Sequence, residues 1–413
     1  MLQKAYEKVF NASLYDFGTK LSRERDLRQQ TAQRFEALDS WRGVCALLVA
    51  LFHLPLAGPI GENAFVRGSF LFVDFFFVLS GFVIAHACTE KVATGQGLAQ
   101  FMVTRFGRLF PLHAFMLAAF VGFELVRLAI PSLAGGQAPF TGAFSPDTLS
   151  ANLALLNGIG IHDHLSWNAP SWSISTELFA YIFFGLAVLL LGRKSLVLFA
   201  LAVIAGPLLL FKYSPDFMDA TYDLGLVRCL FGFSAGVLTH ALLAGKIDKG
   251  QETREALWTW TFAELAVIGA VILFVSTTAA NAGGLLAPLL FAFAVALFAH
   301  EGGYVSRLMK TPPLLLLGTI SYSIYLTHIF VQARMMNAAR ILESRFVEGI
   351  LTESADGVFY SPAVAVPAVV LMSLLTVLAS YATYRLIEAP GRDAFKRLAA
   401  RIPAKLQTSH TLP

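Results

Sequence analysis

Long apolar segments recur along almost the whole chain and constrain its fold more than any other feature. A helix that crosses a hydrocarbon core of about 30 Å needs about 20 residues. Only 14% of the 413 residues are charged, whereas soluble domains carry about 25%. The sequence therefore predicts an all-α, polytopic membrane helix bundle of about ten transmembrane helices. The predicted spans are 38–57, 67–88, 103–130, 170–191, 195–211, 224–244, 258–277, 284–300, 313–333 and 363–387.

Lys and Arg residues are concentrated in alternate connections between these spans, and residues 131–169 contain neither type. Cytoplasmic loops of membrane proteins carry an excess of positive charge, so we expect both the N and C termini in the cytosol. The same rule accounts for the net charge of +4 without a nucleic-acid partner. We predict a cytosolic N-terminal arm at 1–36, a transmembrane domain at 37–390 and a basic cytosolic tail at 391–413.

The first span contains two ionisable residues, Arg42 and His53, on one helix face. Their spacing of eleven residues corresponds to about 16 Å along the axis and returns to nearly the same face. Asp39 precedes Arg42 by three residues and is well placed to pair with it. An ionisable group deep in a membrane marks a candidate functional site. A neutral histidine bonded to a neighbouring helix is the alternative.

The next two spans add further charged residues. Asp74 enters the second span ahead of Ser80 and Gly81, small residues that are typical of close helix packing. Arg105 and Arg108 project from one side of the third span at its cytosolic end. They anchor the helix at the interface, or they clamp an anion, because a planar guanidinium suits phosphate oxygens.

The fourth span begins with Trp172, Ser173 and Glu177 in the stretch "SWSISTELFAY". Trp172 fits an interfacial aromatic belt. Ser173 and Glu177 lie four residues apart on one face. A glutamate inside an apolar helix can hold a histidine tautomer, share a proton or bind a hydroxyl group of a substrate.

Six stretches of the sequence resemble, in the same order, the signature blocks of the acyltransferase-3 family of bacterial membrane acyltransferases. The resemblance covers about residues 36–393. Two departures are Cys45, where a small or aliphatic residue is more usual, and Thr176-Glu177-Leu178, where many members have two consecutive acidic residues. The six stretches are "ALDSWRGVCALLVALFHLPLAG", "FLFVDFFFVLSGFVIA", "RFGRLFPLH", "SWSISTELFAY", "LLLGTISYSIYLTHIF" and "YRLIEAPGR".

The resemblance implies transfer of an acyl group, most commonly acetyl, from cytosolic acyl-CoA to a hydroxyl of an extracytoplasmic carbohydrate or lipid-linked glycan. It implies that His53 is the catalytic base and that Arg105 and Arg108 meet the phosphates of the donor. It also places the protein in the bacterial plasma (inner) membrane. We expect no tightly bound cofactor and no metal site, and the partners are the acyl-CoA co-substrate, the acceptor and the lipid bilayer.

The candidate site residues form three sets. The catalytic set is His53, Glu177 and Asp74; the donor-binding set is Arg42, Arg105 and Arg108; the acceptor-binding set is Ser173, Trp172 and His328.

Other interpretations of the same residues stay open. Intramembrane His, Asp, Glu and Arg residues also build proton or solute pathways, so a transporter is the main competitor. Glu264, in the middle of the seventh span, has no assigned role. Arg385 and Glu388 are three residues apart, which predicts a structural ion pair between them.

Overall fold

The computed structural model describes residues 34–130, 138–246, 253–355 and 357–403. The predicted arm at 1–36 lies almost entirely outside these residues. The chain divides into two compact units, 1–36 and 37–413, and the second contains the helical bundle. The structure is 76% helical, so the all-α prediction is confirmed apart from one β-hairpin.

Most helices follow one another closely along the chain, and longer connections flank the helix Leu149–Leu153 and precede the helix Ala365–Thr383. The α-helices are α1 Glu36–His53, α2 Ala64–Gly68, α3 Phe72–Cys88, α4 Gly95–Ala129, α5 Leu149–Leu153, α6 Ser171–Leu191, α7 Ser195–Tyr213, α8 Gly225–Leu243, α9 Arg254–Thr278, α10 Ala287–Phe298, α11 Tyr304–Met309, α12 Pro312–Thr319, α13 Ser321–Arg345, α14 Ala365–Thr383 and α15 Ala389–Ala400. Short 3₁₀ turns are Ser69–Leu71, Lys91–Ala93, Gly142–Phe144, Pro146–Thr148, Gly192–Lys194 and Ala282–Leu286, and Tyr384–Glu388 is a π-helical turn.

Every predicted span overlaps a helix, but the predicted number of about ten is not confirmed. Within the described residues, six helical segments are long and apolar enough to cross a membrane, and a seventh counts if the bent pair α12–α13 is one span. The first helix carries Glu36, Asp39 and Arg42 in its first half. The segment Ala282–Phe298 is short, and Ser171–Tyr213 is a single 43-residue segment that contains two predicted spans. The chain is a multi-pass membrane protein.

The β-hairpin was not predicted, and it lies beside the end of α1. Strand β1, Leu351–Ser354, pairs antiparallel with β2, Gly357–Tyr360. The backbone of Tyr360 donates to Pro55 O at 2.9 Å and accepts from Ala57 N at 3.0 Å. The hairpin therefore fixes the chain immediately after His53.

Helices α3 and α8 pack at very short range through glycines, as the small residues of the second span predict. A methyl group added at Gly81 would lie 1.9 Å from the carbonyl oxygen of Phe233, and one added at Gly236 would lie 1.9 Å from that of Val78. Because neither position has room for a Cβ atom, the two backbones approach as only small residues allow.

The close α3–α8 contact surrounds a buried ion pair. Asp74, which is fully buried, accepts from Arg228 on α8 at 2.7 and 3.0 Å. Arg228 also donates to Phe70 O and Ala220 O, each at 3.2 Å. The carboxylate that we predicted to be catalytic is thus held by an arginine between two helices.

Glu264, which had no predicted role, holds the start of α11. Its carboxylate accepts from the backbone N–H groups of Gly303, Val305 and Ser306 and from the Ser306 hydroxyl, at 2.5 to 3.2 Å. The first N–H groups of a helix have no partners within the helix, and a carboxylate stabilises them. Glu264 is therefore a structural residue.

The predicted Arg385–Glu388 ion pair is wrong. Arg385 is exposed, whereas Glu388 is buried and bonds to Arg108 on α4 and to Ser323 on α13. Both residues lie in the π-helical turn Tyr384–Glu388, where the spacing of three residues no longer places side chains on one face.

The predicted C-terminal tail contains part of the helical bundle. Helix α15 packs against α4, where Phe395 lies over Gly107 and Gly391 lies over Pro111. Residues 404–413 of that tail lie outside the described residues.

We predict that the Asp74–Arg228 pair serves stability. Asp74→Asn leaves a buried guanidinium without its counter-charge, which costs about 3 kcal/mol and lowers the thermal midpoint in detergent. Asp74→Leu combined with Arg228→Met should recover most of the loss. Asp163→Asn, at an exposed loop carboxylate, is the control; an effect of Asp74→Asn no larger than that of this control would contradict the assignment.

Candidate functional site

A polar cavity of about 140 Å³ lies among α1, α3, α4, α6 and α13. We call it the arginine cavity. It brings together five of the nine candidate site residues, from three different helices. Its polar lining residues are Arg42, Ser80, Arg105, Arg108, Ser173, Glu177, Tyr181, Ser321, Tyr322 and Tyr325.

Arg42 is fixed at the cavity by contacts with its own helix and with the α12–α13 bend. It bonds to Asp39 at 3.3 Å, as the spacing predicts. Its Nε donates to the Ser321 hydroxyl at 2.8 Å and its Nη2 to Gly318 O at 3.0 Å. The charge of Arg42 is thus partly balanced within the protein.

The other two arginines differ in their partners although they occupy one helix face. Arg108 forms an ion pair with Glu388, and its guanidinium lies 5.1 Å from the centre of the Tyr322 ring.

Among the described residues, Arg105 has no carboxylate partner. Its Nε is buried without a hydrogen bond, and its Nη2 contacts the Cys88 sulfur at 3.9 Å. The guanidinium lies over the rings of Phe101 and Tyr181. A buried donor without a partner costs free energy, and in a cavity with two other arginines it favours an anionic ligand.

Glu177 lies on the cavity wall with its carboxylate hydrogen-bonded by two hydroxyl groups. Ser80 donates to its Oε1 at 2.6 Å, and Tyr181 donates to the same atom at 2.5 Å. Tyr181 follows Glu177 by four residues, so helical spacing alone could have identified it. Glu177 therefore contributes a hydrogen-bonded carboxylate to the same cavity as the arginines.

The predicted base, His53, is not in the lining of the arginine cavity. It ends α1, and its ring contacts His328 on α13, with His53 Nδ1 and His328 Nε2 at 3.3 Å. We call these two residues the histidine pair. Tyr325 connects the two places, because it lines the cavity and its ring centre is 6.0 Å from that of His328.

The hydrogen bonds of the histidine pair define the tautomers. His53 Nδ1 lies 2.9 Å from Val49 O, and His328 Nδ1 lies 3.3 Å from Ile324 O. A carbonyl only accepts, so each Nδ1 carries a proton in the neutral rings. The His53 N–H is then shared between Val49 O and the lone pair of His328 Nε2. In this tautomer the lone pair of His53 lies on Nε2.

Besides the histidine pair, two further predicted site residues lie outside the cavity. Asp74 is bound to Arg228, and Trp172 packs against the same arginine, with its ring centre 5.4 Å from the guanidinium. Ser173 lines the cavity and shares a 2.8 Å hydrogen bond with the Tyr325 hydroxyl.

The sequence interpretation named His328 but missed the other members of the polar stripe of α13. Ser321, Tyr325, His328 and Gln332 recur at helical spacing. Ser321 contacts Arg42, His328 contacts His53, and Gln332 donates to Ala50 O at 2.6 Å. Their spacing in "SYSIYLTHIFVQ" was the signal that could have found them.

The chain is similar to known acyltransferases. The model of a family described as "Acyltransferase domain" matches residues 35–385. Protein 2 in picA locus of Rhizobium radiobacter is 34% identical over 172 residues, which are 37% of this chain and 81% of that protein. Acyltransferase MdmB of Streptomyces mycarofaciens is 32% identical over 139 residues, 33% of this chain and 30% of that protein.

O-acetyltransferase OatA of Staphylococcus aureus is 24% identical over 387 residues, 89% of this chain and 59% of that protein. This chain thus spans less than two thirds of both MdmB and OatA. No solved structure matches it.

The partners of the two α4 arginines predict different effects of the same substitution. Arg108→Gln leaves the buried Glu388 carboxylate uncompensated and should cost about 3 kcal/mol, whereas Arg105→Gln breaks no ion pair and should cost less than about 1 kcal/mol. Thermal unfolding of the ligand-free protein in detergent measures the difference. Equal losses for the two variants would show that Arg105 has a partner within the protein.

Proposed function

The chain belongs to the acyltransferase family, and we propose that it moves an acyl group, acetyl by preference, from acyl-CoA to a hydroxyl of an extracytoplasmic glycan or glycolipid. The name of the OatA relative, O-acetyltransferase, supports an oxygen acceptor and an acetyl group. The orientation expected from the Lys and Arg distribution puts the donor on the cytosolic side.

The observation that carries the proposal is the unpartnered Nε of Arg105 in the arginine cavity. Coenzyme A carries several phosphate charges, and guanidinium groups bind phosphate oxygens by charge-assisted hydrogen bonds. Arg108 is balanced by Glu388, and Arg42 is partly balanced by Asp39. Arg105 therefore supplies the charge that is left for a phosphate.

The chemical step is assigned to His53. The acceptor oxygen attacks the thioester carbonyl while its proton passes to Nε2 of His53, which carries the lone pair. The carbon–sulfur bond then breaks, and the imidazolium returns the proton to the departing thiolate. An imidazole can both accept a proton and return it, and the hydrogen bond to His328 Nε2 keeps His53 in the required tautomer. Attack by His53 itself on the thioester is the alternative first step.

The two parts of the proposed site are separated along α1. Arg42 and His53 are about 16 Å apart by helical rise. The donor would thus place its phosphates at the arginines and extend its acyl arm past Tyr325. Glu177 and Ser173 of α6 line the arginine cavity, where this route would begin.

We predict that substitutions in the two parts of the site affect different properties: Arg105→Gln removes donor binding, and His53→Gln removes acyl transfer. Acetyl-CoA should raise the thermal midpoint of the purified wild-type protein and of His53→Gln, because a ligand stabilises the state that it binds. It should not stabilise Arg105→Gln. Acyl transfer, measured by mass spectrometry of envelope glycans from cells that express each variant, should fall about 10²-fold or more in His53→Gln.

A transporter would have no reason to be stabilised by acetyl-CoA. A folded His53→Gln protein that transfers acyl groups at the wild-type rate would refute the role of His53, and Arg105→Gln stabilised as strongly as wild type would refute the donor site.

A further inference from the structure

A second cavity lies between α13 and α14. This α13–α14 groove has a volume of about 570 Å³. It extends along Phe330–Leu342 of α13 and Pro367–Ala379 of α14, which corresponds to a length of about 20 Å. The groove is thus about two thirds as long as a hydrocarbon core is thick.

The wall of the groove is almost entirely apolar and opens to the outer surface of the bundle. Leu342, Leu371 and Leu375 line it and are exposed. Val370, Leu374 and Leu378 extend the exposed apolar surface of α14. An elongated apolar groove of this kind can take a hydrocarbon chain that enters sideways from the membrane.

Two polar groups in the lining lack partners. The Nε and Nη1 atoms of Arg334 and the Tyr360 hydroxyl are buried without hydrogen bonds among the described residues. The guanidinium of Arg334 lies against the faces of the Phe123 and Phe330 rings. Arg334 as a whole is half-buried, but buried donor atoms without acceptors cost free energy, and a phosphate oxygen would remove that cost.

The nearby carboxylate of Glu124 does not supply an acceptor for Nε and Nη1 of Arg334. Glu124 bonds to Arg127 at 2.6 and 2.8 Å and accepts from Phe140 N at 2.9 Å. Its carboxylate is therefore already engaged, while Nε and Nη1 of Arg334 stay without an acceptor. The site keeps a cationic group available to an anionic ligand.

The groove is continuous with the end of α1 that carries His53. Met335 and Tyr360, which line it, pack in one hydrophobic cluster with Ala50, Leu54 and Leu56. The backbone of Tyr360 also pairs with residues 55 and 57. A head group held at Arg334 and Tyr360 would lie close to the chain segment that follows the predicted base.

We propose that the α13–α14 groove binds the lipid chain of a lipid-linked acceptor and that Arg334 and Tyr360 bind its phosphate. This inference rests on the proposed function, because it assigns the acceptor side of that reaction. The lipid enters from the bilayer, its phosphate pairs with Arg334, and the attached glycan hydroxyl is presented to His53. Phosphatidylglycerol of the surrounding bilayer is the competing occupant.

The test uses farnesyl phosphate as the probe and native mass spectrometry of the full chain in detergent. Wild type and Arg340→Gln should bind it, and Arg334→Gln should bind at least about tenfold more weakly, because a charge-assisted hydrogen bond contributes about 1.4 kcal/mol or more. Arg340 is exposed on the same helix and is the matched control. Farnesol and inorganic phosphate should each bind wild type more weakly than farnesyl phosphate, and Tyr360→Phe should weaken binding of the probe.

Two results would overturn the proposal, and a third would refute the proposed function while the proposal stands. Equal binding by Arg334→Gln and Arg340→Gln would overturn it, and so would displacement of farnesyl phosphate by an equal concentration of phosphatidylglycerol. Acetyl-CoA should stabilise all of these variants, which also confirms that they are folded. Acetyl-CoA that fails to stabilise wild type would refute the proposed function. If wild type and the variants still bind farnesyl phosphate as predicted, the groove remains a lipid-phosphate site.

Discussion

Charges buried among apolar helices must be paired, and this constraint determines where the polar residues of the chain lie. Removing one partner of a buried pair costs several kcal/mol because the other is left without compensation. Asp74 is accordingly bound to Arg228 and Glu388 to Arg108, and Glu264 is bound to a helix start. Within the arginine cavity, Arg105 differs from Arg42 and Arg108, since its charge has no carboxylate partner among the described residues.

The contact between α1 and α13 connects the arginine cavity with the histidine pair. The two helices run in the same direction, with Arg42 bonded to Ser321 at one end and His53 bonded to His328 at the other. A rotation of either helix would break both contacts together. This interface therefore gives a fixed distance between the proposed donor phosphates and the proposed base, with Tyr325 between them.

The sequence predicted features that depend on local spacing and could not predict those that depend on distant partners. The Asp39–Arg42 pair and the shared face of Ser173 and Glu177 follow from helical periodicity, and the structure agrees with both. Asp74 looked like a catalytic candidate because Arg228, 154 residues away, cannot be assigned to it from spacing. The Arg385–Glu388 prediction failed because it assumed a regular α-helix. The position of Tyr325, which lines the arginine cavity and lies beside His328, depends on the packing of α13 and could not be predicted from spacing.

The central claim is that one acyl donor extends from Arg105 to His53. The most direct measurement is a cryo-EM map of the protein in lipid nanodiscs with acetyl-CoA bound. We predict density for the donor phosphates within hydrogen-bonding distance of Arg105, and density for the thioester beyond Tyr325, next to Nε2 of His53. Donor density on another face of the molecule, with Arg105 still unpartnered, would contradict the claim.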